Sequence, residues 1–140
     1  MTIPRTKDLG PAEMRTVILL GIGILAAITG QPKESRGAKS KWFEANVSSV
    51  MIQKSILDYA ANADSAKIRA LVGKNLGDEN TRRVLKLSVM NLEGAYFTAS
   101  DYYIISINNE GLATIKVTGS KINAPHGSYL LQENCDWVKL

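Results

Sequence analysis

Residues 17–29, Val-Ile-Leu-Leu-Gly-Ile-Gly-Ile-Leu-Ala-Ala-Ile-Thr, carry no charged side chain and are apolar on every face of a helix. A surface helix would show a polar stripe at a 3.6-residue period, so a helix here is expected to be buried on all sides. The run would rise about 20 Å, short of the ~30 Å hydrocarbon thickness of a bilayer. Lengthening it to 12–31 takes in Glu13 and Arg15. Four roles fit such a segment: a membrane anchor, the apolar region of a secretory signal, a central helix of a soluble domain, and a self-associating helix in a filament. Gly21, Gly23, Ala26 and Ala27 are small enough to let helix backbones approach closely, which favours self-association.

Gly30 and Pro32 interrupt this pattern, and the polar, basic stretch 33–41 reads as a linker or a membrane-facing collar. From Trp42 to Ala61 the residues Phe43, Val47, Val50, Met51, Leu57 and Ala61 recur at three- and four-residue spacings, predicting an amphipathic helix. Its polar face is expected to carry Glu44, Ser48, Gln53, Lys54 and Asp58. Asp64-Ser65 offers an N-cap for a short helix over 66–72, with Gly73 as its stop.

Beyond Asn80 the period shortens. Leu85, Leu87 and Val89 alternate with Lys86, Ser88 and Met90 and suggest a half-buried strand, although Asp78-Glu79-Asn80 equally suits a helix start. Residues 101–107 and 112–118 form the clearest strand pair, joined by Asn108-Asn109-Glu110-Gly111, whose Asn and Gly tolerate positive φ. Ala113, Ile115 and Val117 are expected inward, Thr114 and Lys116 outward. A second pair is expected around 129–131 and 137–139. The fold class is therefore α+β, with a long apolar N-terminal helix and an amphipathic helix packed on a small antiparallel β-sheet. The organisation is a leader-like segment and apolar helix (1–32), a basic linker (33–41) and an α+β head (42–140).

The net charge of +4 lies at one end of the chain. Residues 1–41 hold seven Lys/Arg against three acids, whereas the other 99 residues carry ten of each sign. Basic residues flanking an apolar run suit anionic headgroups. Nucleic-acid binding would call for a basic patch with interleaved aromatics, which the pattern lacks, so no nucleic-acid partner is expected.

Candidate chemistry is sparse. Gly21-Ile22-Gly23 lacks the third glycine and the preceding strand of a nucleotide fingerprint. Ser-His, Cys-His and two-histidine metal sites would all depend on the lone histidine, His126, in the loop Pro125-His126-Gly127, and the lone thiol, Cys135, can form neither an internal disulfide nor a multi-thiolate metal site. Asp78 and Glu79 read as a solvated or helix-capping pair. Tyr96, Phe97, Tyr102, Tyr103, Tyr129, Trp42 and Trp137 read mainly as core and strand aromatics. No catalytic, cofactor or metal site is expected, and the chain is read as a non-enzyme.

Gly23 to Ile28, Gly-Ile-Leu-Ala-Ala-Ile, resembles the segment common in the N-terminal helix of type IV pilins and of the related pseudopilins of type II secretion. Met1 to Gly10, short, with Arg5 and Lys7 and closing on glycine, resembles a prepilin leader. The order of helices followed by consecutive strands, with Leu92 to Ile104 leading into the first strand, resembles pilin-like heads. The resemblance implies leader cleavage between Gly10 and Pro11 and an apolar helix that resides in the inner membrane before packing with its copies in a filament core. It assigns the packing to Gly21, Gly23, Leu25, Ala26, Ala27 and Ile28, and pairing with a neighbour's N-terminus to Glu13. Pro11 stands where the family has a bulky apolar residue, Glu13 lies one residue further from Gly23 than the family's glutamate, and Arg15 falls within the family's apolar stretch. The function implied is a structural subunit of a type IV pilus-like filament or pseudopilus. The partners are then further copies of the chain and the membrane, and the location is the bacterial envelope or its surface. The alternative is a single-pass membrane-anchored accessory protein with a small interaction head.

Overall fold

The computed structural model of the protein describes residues 36–140. The apolar run 17–29, and with it Gly10, Pro11, Glu13, Gly21, Gly23, Leu25, Ala26, Ala27 and Ile28, lies outside the described residues.

Helix α1 spans Arg36–Ala60. Residues 36–41, most of the stretch expected as a linker, are thus helical. The face that meets the core is Trp42, Ala45, Asn46, Ser49, Ile52, Gln53 and Ile56, all buried. These positions follow the three- and four-residue spacing of one helix face, but not the face expected from the sequence. Phe43 and Val47 are 40% and 45% exposed, while Ser48 and Gln53, expected in solvent, are buried. At about 100° per residue the true core stripe lies roughly 130° round the helix from the one centred on Phe43 and Val47. The phase is set by Trp42, whose ring lies 4.5 Å from Tyr129 and 5.2 Å from Phe97 between centroids. Gln53 is admitted because its amide donates to Ala113 O at 2.8 Å and Gln132 O at 3.0 Å, which satisfies a polar group taken out of water.

Four strands, β1 (Tyr102–Ile107), β2 (Ala113–Thr118), β3 (Ser128–Leu131) and β4 (Trp137–Lys139), form an antiparallel meander in chain order. α1 packs on one face of it, chiefly across β2 and β3. The expected alternation on β2 is observed, with Ala113, Ile115 and Val117 buried. Gly111, at φ +87, closes the β1–β2 turn, and Asn108 Oδ1 accepts from the backbone of Glu110 and Leu112. The α+β class, with a helix packed on a small antiparallel sheet, is as expected.

The link from α1 to the sheet holds three short helices: α2 (Ser65–Arg69), α3 (Glu79–Val84) and α4 (Val89–Leu92). Asp64 caps α2 by accepting from Lys67 N, as the sequence suggested. The strand expected around 85–90 is not formed. Asp78 caps α3, Ser88 and Asn91 form a capping box on α4, and Lys86 at φ +59 turns the chain between them. Local side-chain hydrogen bonds win over the alternation. Leu85 and Leu87 are buried, while Val89 and Met90 are exposed. Residues 73–76 then run beside β1, where Gly73 N donates to Ile104 O and Leu76 N to Tyr102 O.

Candidate assembly surface

The reactive side chains noted in the sequence do not converge. His126 is exposed in the β2–β3 loop and Cys135 is exposed in the β3–β4 turn, where it has φ +73 and its thiol donates to Gln53 Oε1 at 3.4 Å. Asp78 is engaged as a cap: the Thr81 hydroxyl and backbone N–H both donate to it and hold its carboxyl below the usual value. Glu79 pairs with Arg83 one turn on, at 3.7 Å. Among the described residues no group of three or more His, Cys, Asp or Glu is placed to hold a metal.

The aromatics form the heart of the core instead. Trp42, Phe97, Tyr102, Tyr129 and Trp137 are buried, and Tyr129 stacks on Trp137 with centroids 4.8 Å apart. Tyr103 alone of the strand aromatics points outward.

Glu44, read from the sequence as a solvated residue, ties the segment before the sheet to α1. Its Oε1 accepts from Ala95 N at 3.0 Å, and its Oε2 accepts from Tyr96 N at 3.1 Å and Phe97 N at 2.9 Å. Three consecutive amides converging on one carboxylate are charge-assisted and fix that segment's approach to the helix. The residues that sequence reasoning missed, Glu44, Ser48 and Gln53, are polar and so lie outside any hydrophobic count. A signal was available in Trp42: taking the largest apolar residue as the origin of the helix phase selects 45, 49, 52 and 56.

With the sheet and this segment covering the rest of α1, its remaining face changes character along its length. Toward the Arg36 end it shows Phe43 and Val47, one turn apart, flanked by half-buried Val50 and Met51. Toward the Ala60 end it shows the Lys54–Asp58 ion pair at 3.1 Å. The exposed apolar stretch thus lies on the N-terminal half of the helix. No helix among the described residues is long and apolar enough to cross a membrane.

These features define a small α+β head in which one long helix lies on an antiparallel meander and leaves an apolar stripe uncovered. Compared with family models, curated proteins and solved structures, the chain matches none.

Proposed function

We propose that the chain is a structural subunit of a type IV pilus-like filament or pseudopilus, assembled by packing of its apolar N-terminal helices. The observation that supports this most directly is the exposed pair Phe43 and Val47 on α1. The stripe places a second apolar surface on the head's own helix, beyond the polar stretch 33–41, and stops where Lys54 and Asp58 begin. Burying two such side chains against another copy contributes about 1.5–3 kcal/mol each at most, a modest addition to the cohesion supplied by the 17–29 segment. The resemblance of Gly23–Ile28 and the succession of helix and meander support the same reading.

The test is electron microscopy of negatively stained full-length protein, alongside mechanical shearing of intact cells. Filaments are expected from the parent chain and severe loss of them from Phe43→Asp combined with Val47→Asp, with the head still folded by circular dichroism. If shearing releases none of the protein and detergent extracts only monomers, the filament reading fails and the single-pass membrane-anchored accessory protein takes its place.

A further inference from the structure

We infer that the end of the head formed by the start of α1 and the β2–β3 loop is a docking surface for an anionic phospholipid bilayer, with Ile122 as its apolar tip. Trp42 lies against Tyr129 while Gln53 binds Ala113 O, so β2 runs antiparallel to α1. The β2–β3 loop, residues 119–127, therefore returns beside the Arg36 end of α1. There Lys41 Nζ donates to Asn123 O at 3.0 Å and stands 5.0 Å from the centroid of Tyr96, and Lys121 Nζ donates to Gly94 O at 2.7 Å. Both ammonium groups donate to backbone carbonyls, and each has further N–H groups to offer. Lys39 adds a third charge at the same end of α1. Between Lys121 and Asn123, the side chain of Ile122 is fully exposed, at 104%.

Among the described residues, three carboxylates beside this loop and the start of α1 are engaged by the protein. Glu44 is bound by the amides of residues 95–97, Glu93 by the Thr98 hydroxyl and Ala99 N, and Asp101 by Thr98 N. The loop 119–127 contains no acid. The two turns at the opposite end of the sheet, 108–112 and 132–136, carry Glu110, Glu133 and Asp136 and no Lys or Arg. The β2–β3 loop at one end of the sheet is thus basic and the two turns at the other end are acidic. An exposed aliphatic tip flanked by lysines matches the bilayer interface, where the alkyl group enters the acyl boundary and the ammonium groups meet phosphates. The chain also keeps this end close: the seven peptide steps from Thr29 to Arg36 span at most about 25 Å. The inference rests on the membrane residence that the proposed function gives residues 17–29.

The experiment places a polarity-sensitive fluorophore on Ile122→Cys in a Cys135→Ser background, in the full chain. The protein is reconstituted into vesicles of phosphatidylcholine, alone or mixed with phosphatidylglycerol. A lysine near an anionic surface favours it by about fivefold. Acrylamide quenching at position 122 is therefore expected to fall severalfold when phosphatidylglycerol is present. Quenching should be restored by high salt or by Lys39→Gln combined with Lys121→Gln, while a probe on Asn109→Cys stays accessible throughout. Equal quenching in the two vesicle types, with the protein floating with both, overturns this inference alone. Failure of the protein to float with vesicles overturns the membrane residence as well. Protection that ignores phosphatidylglycerol but grows with protein density assigns the surface to the acidic end of a second copy and also overturns it.

Discussion

The Glu44 carboxylate fills the space that a side chain at position 94 would need. A Cβ built on Gly94 would lie 2.2 Å from Glu44 Oε2, and the three amides that follow Gly94 all donate to that carboxylate. Gly94→Ala is expected to push Glu44 out of its seat, and Glu44→Ala to leave those amides without their acceptor. Either should cost about 1–3 kcal/mol in urea unfolding. Because both remove one interaction, the double variant should be little worse than the poorer single variant. Fully additive losses would show that the two residues act separately.

Backbone conformation distinguishes two turn positions. Gly111 has φ +87 and a Cβ there would meet Ala60 Cβ at 2.9 Å, so Gly111→Ala should destabilise the head by more than ~1 kcal/mol. Lys86 has φ +59 with a side chain exposed to solvent, and Lys86→Gly should stabilise by about 0.5 kcal/mol once the flexibility of glycine in the unfolded chain is set against the relieved strain. Thermal melts of the two variants should move in opposite directions.

Ser49 sits on the core face of α1 with its hydroxyl buried and without a hydrogen-bond partner, in the same stripe as Asn46, whose amide is also unpartnered. An unsatisfied buried polar group costs about 1–3 kcal/mol. Ser49→Ala removes the hydroxyl with almost no change of shape and should raise the melting temperature by several degrees. A fall would mean that the hydroxyl has a partner, such as a bound water.

The Thr98 hydroxyl, the Ala99 amide and, at longer range, Lys121 and Arg82 hold the Glu93 carboxyl below its ordinary value of 4.5. A carboxyl depressed in the folded state contributes stability that is present above 4.5 and is lost as pH falls through the folded value. Urea midpoints should therefore drop below pH 4.5, and Glu93→Gln should flatten that part of the profile. An unchanged acid limb in the variant would assign the loss to other carboxylates.

Local chemistry was readable from residue order alone. The helix around Trp42–Ala60, the cap at Asp64, the hairpin on Asn108 and Gly111, and the inward set Ala113, Ile115 and Val117 all follow from periods and turn residues that act within a few positions. The alternation of Leu85, Leu87 and Val89 misled because the caps at Asp78 and Ser88 and the left-handed turn at Lys86 act more strongly over that stretch.

The apolar character of residues 17–29 was likewise established by the sequence itself, since a segment without a polar face needs cover whatever the fold. Only the tertiary structure decided which side of α1 is core. Phe43 and Trp42 are adjacent and both apolar, and the choice between their faces fell to Tyr129, Phe97 and the carbonyls that receive Gln53, all at least fifty residues away along the chain. The same distant packing left Phe43 and Val47 uncovered and carried Ile122 to the basic end of the helix. Periodicity records that a helix has an apolar side, but the partner that covers it is supplied by residues remote in sequence.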